Sequence, residues 1–460
     1  MPPRVLWLTG LILGAFVADV ETLRAEPPWR AWSALDGPAW LDVQLSQRTR
    51  FEGISADPRA EQGSDPRGLM SRTLLRAELR RPMVEGALEI QDARAFATAA
   101  TPRSTGLVNT LEPIEAWLGV RLRGVFSEGD TLELRAGRMT LDMGSRRFLA
   151  RNEFRNTTNG FNILSAAWSS AARVSLSAFG GVPVVRLPST PEALADNAFE
   201  LDAEGTSAWI FGAFAEHPEL GAAFEGQLLA LGLLERDARE LPTADRRLAT
   251  LSLRLRRRPA PAGLDLDLEL IGQLGTSRAS KATTDLDDLD HRAFAGHLSA
   301  GYTLPNTMAP RLRVALDFAS GDADPTDSTQ GRFDPLFGAR RFELGPTGLY
   351  GLLPRANLLS PELRLAWRLP ELLDGFVAWR PAWLATARDA WVGVMARPAG
   401  PEADAQGRFI GHQLEGRLRW QLLGDNLGLE AGAAVLFGGE LDPRPGETVV
   451  YTYGGFAARL

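Results

Sequence analysis

The chain has 460 residues, 45% of them hydrophobic, and a formal net charge of -7. It contains no cysteine, which excludes disulfide bonds and thiolate metal sites, and its four histidines leave little material for a zinc or di-iron centre. No stretch reaches the roughly 20 consecutive apolar residues that a transmembrane helix needs.

The N-terminus has the features of a secretory signal peptide. Arg4 supplies a short positive region, residues 5–17 form an apolar run too short to span a membrane, and Leu23-Arg24-Ala25 offers a cleavage site. We therefore predict a signal peptide over residues 1–25 and a single domain over residues 26–460. A buried N-terminal helix is the alternative, and the charges that directly follow the apolar run disfavour it.

The segment 264–270 alternates leucine with Asp265, Asp267 and Glu269 without a fault. A helix would scatter both sets around its axis, whereas a strand places the leucines on one face and the acids on the other. In a membrane barrel the leucines would face lipid and the acids an aqueous lumen.

The same alternation recurs along the chain in about eighteen segments: 40–52, 70–80, 83–93, 113–123, 130–138, 161–169, 172–180, 206–216, 221–235, 247–257, 263–275, 292–304, 310–319, 361–368, 376–390, 411–422, 427–438 and 446–458. Short and long connections alternate between them, as in outer-membrane barrels. We therefore predict an all-β fold, a single transmembrane antiparallel β-barrel of about 18 strands with long extracellular loops and short periplasmic turns. A soluble multi-sheet fold is the alternative.

Arginine supplies almost all of the positive charge, since Lys281 is the one lysine of the sequence. Alternation places many arginines in the lumen, where guanidinium groups could bind carboxylates in two-point geometry. The alternative is that they pair with acids of neighbouring strands and stiffen the wall. The first two strands hold few acids, so we expect their arginines to be free. The candidate substrate-binding residues are Arg48, Arg50, Arg72, Arg76, Arg80, Arg135, Arg138, Arg254, Asp265, Glu269 and Asp317.

The hairpin around Pro259-Ala260-Pro261 allows a more specific expectation. An antiparallel pairing should bring Arg256 near Asp265 and Arg254 near Asp267. Such pairs would leave these arginines unavailable to a substrate.

Two long connections carry concentrated charge. The segment 139–160 is basic, and it either folds inward and constricts the pore or stays outside, solvated or in contact with lipopolysaccharide. The acidic segment that contains Asp322, Asp324 and Asp327 is a candidate for calcium, although no EF-hand pattern is present. We expect no other cofactor.

An outer-membrane hydrolase is the remote alternative, because such an enzyme needs a Ser–His or Asp–His pair. The sequence offers Asp290 beside His291, and His297 on one strand face with Ser299. No third, orienting residue can be named for either pair. We therefore expect no enzymatic activity.

Several segments, in order, resemble the alginate-export family of outer-membrane barrels: 89–94, 134–138, 159–162, 263–275, 319–325, 333–337 with Asn357, 389–391 and 410–415. The resemblance implies a channel in the outer membrane of a Gram-negative bacterium that exports an anionic exopolysaccharide, an alginate-like polyuronate. The partners it implies are that polymer, outer-membrane lipid and lipopolysaccharide, and periplasmic export proteins, with no nucleic acid. A general or substrate-specific diffusion porin is the alternative within transport.

Overall fold

The computed structural model describes residues 29–98, 101, 103–221, 223–237, 242–341, 343–369, 372–397, 401–423, 426–441 and 443–460. The predicted signal peptide lies outside these residues. The strands are β1 (Leu41–Ser55), β2 (Arg67–Arg80), β3 (Val84–Ala97), β4 (Asn109–Arg123), β5 (Thr131–Met139), β6 (Phe161–Ser169), β7 (Ser175–Val185), β8 (Ala203–Glu204), β9 (Ala208–Leu220), β10 (Phe224–Glu235), β11 (Arg247–Arg257), β12 (Gly263–Ser277), β13 (Leu289–Thr303), β14 (Arg311–Ala319), β15 (Thr329–Gln330), β16 (Leu358–Leu369), β17 (Leu373–Trp383), β18 (Phe409–Gln421), β19 (Leu427–Gly438) and β20 (Thr448–Arg459).

Eighteen of these strands form a closed antiparallel barrel in the described part of the chain. Each pairs with its neighbours in sequence, apart from the two-residue strands β8 and β15, which add to the edges of β7 and β13. Closure is made by β1 and β20, which pair from Ser46 with Arg459 to Ser55 with Val450. The predicted fold class is therefore confirmed.

The two faces of the wall differ as the alternation predicts. Leu264 and Leu270 on β12 are 62% and 58% exposed on the outer face, while Asp265 and Glu269 are 4% and 2% exposed on the inner face. In a membrane the leucines meet hydrocarbon, and the carboxylates are kept inside the barrel.

Short turns, the first described residues and the C-terminus lie at one end of the barrel, called here the turn end. The long connections between the described strands lie at the other, the loop end. By the usual architecture of outer-membrane barrels the turn end is periplasmic and the loop end extracellular. The described residues also form three short helices that are not part of the wall: α1 (Ala31–Ala34), α2 (Pro191–Ala195) and α3 (Pro401–Ala405). Among the described residues, no helix combines the length and the apolar character needed to cross a membrane.

The strands depart from prediction mainly at the loop end. Residues 384–390, expected to continue a strand, leave the barrel after Trp383. They do so because Leu384 and Trp391 pack into an apolar core inside the loop end, beside Tyr350 and Tyr451. The interior of the barrel is therefore packed at the loop end. The open part of the lumen lies between that core and the turn end.

Candidate functional site

Two of the long connections, 140–160 and 320–357, fold into the lumen and hold each other there. The Phe337 amide donates to the Phe148 carbonyl at 2.9 Å, and Leu149 forms a parallel bridge with Phe337. Phe148 and Leu149 are fully buried. Of the two alternatives for the basic segment, the inward-folded one is therefore confirmed.

Arg147 fixes this pair of loops to the wall. Its buried guanidinium group contacts Glu269 on β12 and Glu343 of the second loop, the latter at 2.5 Å, and Arg355 contacts Glu343 from the other side. Burial alone would lower the pKa of Arg147, but Glu343 and Glu269 raise it above its usual value. Glu269, a predicted substrate-binding residue, therefore forms a salt bridge that fixes the loops to the wall.

The segment from Glu153 to Asn156 lies against two arginines of the wall. Arg48 donates to the carbonyls of Glu153 and Arg155 and to the side-chain oxygen of Asn156, at 3.0 Å for Arg155 and 3.3 Å for Asn156. Arg72 donates to the same Arg155 carbonyl at 3.3 Å. Within the described residues, no carboxylate oxygen lies within 4.0 Å of either guanidinium group. These two arginines are therefore free of acidic partners, as predicted.

Below this segment a cavity of about 1090 Å³ opens towards the turn end, and we call it the vestibule. Its rim includes the 259–261 turn. Among the described residues it is lined by thirteen arginines and four carboxylates: Arg48, Arg50, Arg72, Arg76, Arg151, Arg311, Arg313, Arg341, Arg364, Arg368, Arg417, Arg419 and Arg459 with Glu89, Glu153, Asp374 and Glu430.

Some acids that balance these arginines lie behind the lining. Glu362 is buried and contacts Arg313, Arg364 and Arg380, the last at 2.7 Å. Asp265, another predicted site residue, is buried and paired with Arg311. The vestibule therefore presents guanidinium groups to its contents while their partners stay in the wall.

The prediction that all five arginines of the first two strands are free is wrong for three of them. They form salt bridges as follows: Arg50 with Glu52 at 2.5 Å, Arg76 with Glu115 at 2.5 Å and with Glu89 at 2.8 Å, and Arg80 with Glu78 at 2.9 Å. The partners lie either two residues away on the same strand face or on β3 and β4. A count of acids restricted to the first two strands therefore underestimates the neutralisation.

Two further predicted arginines, Arg135 and Arg138, do not present a free guanidinium group to the lumen. Arg135 faces the lumen, but Glu85 and Glu133 hold it at 2.7 Å each, and its guanidinium carbon lies 4.5 Å from the centre of the Trp117 ring. Arg138 shares the outer face with Leu134, because it lies three residues from Arg135 and successive side chains of a strand alternate. Arg138, a predicted substrate-binding residue, therefore points out of the barrel.

The hairpin prediction is half right. Arg254 pairs with Asp267 at 2.6 Å, as expected. Arg256, however, pairs with Glu225 on the preceding strand at 2.5 Å, because the register sets it opposite Asp267 and two residues from Asp265.

Asp317, the last predicted site residue, belongs to a buried polar group. His297 Nδ1 lies 2.8 Å from Asp317, and Arg380 contacts the same carboxylate at 3.0 Å. The ligand atoms of His297, Asp317 and Glu343 lie within 4.8 Å of one another, a spacing that could suit a metal ion. Three guanidinium groups already occupy these carboxylates, so the group has the chemistry of a salt-bridge network that joins loop to wall.

The three candidate calcium ligands are not brought together. Asp324 accepts hydrogen bonds from Thr326, and Asp327 accepts one from the Thr329 amide at 2.6 Å. Asp322 is buried, its amide donates to Asp389 at 2.9 Å, and the three carboxylates do not meet within 4.8 Å of one another. Calcium at these residues stays a prediction.

The two histidines of the candidate hydrolase pairs contact residues other than those expected. Asp290 is exposed on the outer face while its neighbour His291 is buried on the inner face, where Ser277 Oγ lies 3.1 Å from its Nδ1. His297 is bonded to Asp317, with Ser299 next along the same face.

Sequence reasoning missed two residues of the site, Arg341 and Phe154. Arg341 crosses the vestibule roof from the second loop to Glu415 at 2.6 Å and to the Tyr453 hydroxyl at 3.0 Å. The Phe154 ring lies between Arg50 and Arg341, whose guanidinium carbons are 4.0 and 4.8 Å from its centre. An aromatic residue inside a basic loop was the available signal.

No curated protein sequence matches the chain. Among solved structures, Acinetobacter baumannii OccAB1 is similar with a TM-score of 0.56 and 10% identity, over 91% of this chain and 97% of that one. A BenF-like porin from Pseudomonas fluorescens Pf-5 gives 0.54 and 11%, over 91% and 98%. Pseudomonas aeruginosa OccK2 (OpdF), solved in complex with glucuronate, gives 0.53 and 13%, over 92% and 98%.

At these identities the solved structures show the shared fold alone, which is that of outer-membrane porins. A family model described as alginate export matches residues 39–449. That range covers nearly the whole barrel, from before β1 into β20. The chain is therefore an outer-membrane channel that belongs to the alginate-export family.

Proposed function

We propose that this channel carries an anionic exopolysaccharide, an alginate-like polyuronate, outward across the outer membrane, and that vestibule arginines bind its carboxylates. The observation that carries the proposal is the pair Arg48 and Arg72, two lumenal arginines that donate to neutral loop oxygens and form no salt bridge with a described residue. Family membership supports the substrate class. The structural role of the salt-bridged wall arginines is to hold the duct open and positive.

Entry of the polymer would replace the loop carbonyl oxygens that Arg48 and Arg72 now contact with carboxylate oxygens of the polymer. The carbonyls of Glu153 and Arg155 now accept from Arg48 and Arg72. A carboxylate can accept two parallel guanidinium hydrogen bonds and forms shorter, stronger ones than a carbonyl does. The polymer would therefore displace the 153–156 segment from Arg48 and Arg72. The segment would return to these arginines once the polymer has passed.

The test is pore current in planar bilayers. The unmodified channel should prefer anions, and polyuronate added on the turn side should block its current. Salt should weaken both effects, because the Debye length falls from about 10 Å at 0.1 M to about 3 Å at 1 M. The double variant Arg48→Gln and Arg72→Gln should lose most of the polyuronate block and keep its passage of neutral sugar.

A matched control is Arg292→Gln, an exposed arginine on the outer face of β13 that pairs with Asp290. It removes one arginine without touching the lumen and should leave the block unchanged. Cation selectivity of the unmodified channel, or a block that survives the double variant, would contradict the proposal.

A diffusion porin for small anionic sugars is the second candidate. The fold is shared with porins, and one similar structure holds glucuronate, which makes the monomeric uronate a useful probe. A porin should pass glucuronate into liposomes quickly and show little block by the polymer. An exporter should show the reverse.

A further inference from the structure

Part of the outer wall is polar at mid-strand positions. On β14, by contrast, the outward positions are apolar and hold Leu312, Val314 and Leu316. On the first three strands, six adjacent outward positions are polar, and we call them the polar patch: Gln47, Thr49, Ser71, Thr73, Asp92 and Arg94.

The orientation of the polar patch follows from alternation. Its members flank Arg48, Arg72 and Ala93, which point into the barrel, so they point out of it. The register joins them across the strands in two rows. One row runs Gln47–Thr73–Asp92 and the other Thr49–Ser71–Arg94.

The polar patch lies within the apolar band and not at its rim. On each of the three strands, exposed apolar side chains stand on both sides of it, towards the turn end and the loop end: Leu45 and Phe51, Leu75 and Leu69, Leu88 and Phe96. The polar side chains therefore sit at a depth where the rest of the wall meets hydrocarbon.

The side chains of the polar patch bond among themselves. The Gln47 amide donates to Thr49 Oγ1 at 3.1 Å and to Ser71 Oγ at 3.0 Å, and Arg94 pairs with Asp92 at 2.9 Å. Side-chain exposures of 38% for Arg94 and 26% for Asp92 remain. Charged groups facing lipid are destabilising in a depth-dependent way, so this surface is better suited to protein than to lipid.

We propose that the polar patch is the contact through which two copies of this chain associate, with each patch against the same patch of the partner. The polar patch carries one Asp and one Arg and has no net charge, so a strongly acidic or basic partner would find no complement. In a two-fold contact, residue i of one copy meets residue j of the other and the reverse, so a patch that holds both donors and acceptors can complement itself. On the adjoining strand β20, Gly454 and Ala458 also face outward, and small residues let membrane walls approach closely.

Cysteine crosslinking tests this directly, because the chain has no cysteine of its own. Ser71→Cys lies at the centre of the polar patch, and Leu270→Cys is an exposed control on β12 at the opposite side of the barrel. In outer membranes treated with a short bismaleimide, Ser71→Cys should give a product of twice the chain mass and Leu270→Cys should remain a single chain. A single chain for Ser71→Cys, an adduct of any other mass, or equal crosslinking of the control would overturn the proposal.

A second measurement addresses the polar pair itself. The double variant Asp92→Leu and Arg94→Leu should raise the dissociation constant of the detergent-solubilised dimer about tenfold or more, measured by sedimentation, while the current per chain stays unchanged. An unchanged dissociation constant would overturn the proposal. Polyuronate block depends on the opposite face of the wall, so failure of the proposed function would leave this result unaffected.

Discussion

Arg48 and Arg72 lie directly opposite each other on β1 and β2, and both donate to one oxygen, the carbonyl of Arg155, at 3.0 and 3.3 Å. Like charges that face each other across a sheet are destabilising. Here both guanidinium groups donate to neutral oxygens of an inward-folded loop, and no described carboxylate oxygen lies within 4.0 Å of them. A carboxylate that replaced the carbonyl would gain more from the pair than from any arginine already bonded to an acid.

Asn156→Ala should release the segment that covers this pair. The buried Asn156 amide donates to the Leu107 carbonyl at 2.8 Å and to the Ser71 carbonyl at 3.2 Å, so its removal leaves buried acceptors unsatisfied. We expect a loss of about 1–3 kcal/mol of stability and more frequent openings in single-channel records. Asn152→Gly is the control, since that side chain makes one weak contact, at 3.5 Å, to a loop carbonyl and glycine tolerates the positive φ of this position. Equal gating in both variants would count against the role of Asn156.

Glu343→Gln should loosen the two lumenal loops and make closure insensitive to acid. Burial favours the protonated form of Glu343, but Arg147, His297 and Arg355 outweigh it and hold the pKa of this carboxyl well below its usual value. The stabilisation is therefore present above the unfolded pKa of about 4.3 and is lost only as the pH falls towards the lowered folded value. Conductance of the unmodified channel should stay low between pH 7 and that range, whereas the variant should be leaky throughout. A variant as tight as the parent would refute this.

Glu362→Gln should be among the more damaging single changes in the wall. Glu362 is buried against Arg313, Arg364 and Arg380, and breaking a buried ion pair costs about 3–5 kcal/mol. The control is Asp374→Asn, whose pair with Arg417 is about one-fifth exposed on each side, so its loss should cost about 1 kcal/mol or less. Urea titration of the barrel in lipid vesicles measures both, and similar losses would show that burial does not decide the effect.

Asp202→Asn should remove a pH dependence of the 186–207 connection. Burial, together with the negative charge of Glu112, raises the pKa of Asp202 to about 6. A raised carboxyl pKa means that the folded state binds the proton more tightly, so local stability falls as the pH rises from about 4 to 6. Hydrogen exchange of this segment, corrected for intrinsic rates, should be faster at pH 7 than at pH 5. In the variant the difference should shrink, because the charge of Asp202 is gone while Asn109 and the Leu187 amide can still donate to the remaining oxygen.

The residues that face outward and those that face the lumen could be predicted, because successive side chains of a strand point to opposite faces. Leu264 and Asp265 could not share a face, whatever the neighbouring strands did. Eighteen strands followed from the same rule applied along the chain. The strand ends at the loop end were less predictable, since alternation there gives way to residues such as Ile54 and Trp391 that pack against the lumenal loops.

Partners of individual charges could not be predicted, because they depend on register and on loops. Arg256 differs from its expected pairing by two residues of register, which is enough to move it from Asp265 to Glu225. The special status of Arg48 arises from a loop more than one hundred residues away in the sequence. Within β1, Glu52 follows Arg50 two residues on along the same face, but nothing in that strand predicts the loop contacts of Arg48.

Closure of the barrel has a consequence for how the channel is made. Glu52 on β1 accepts hydrogen bonds from the Tyr451 hydroxyl on β20 at 2.8 Å and from the Leu349 amide of the second lumenal loop at 3.0 Å. One carboxylate thus joins the first strand, the last strand and the loop that obstructs the lumen. The obstruction cannot be completed before the final strand has been synthesised and paired. A newly inserted molecule should therefore pass through a leaky stage. The time for which it leaks depends on how quickly β1 pairs with β20 and Glu52 contacts the second lumenal loop.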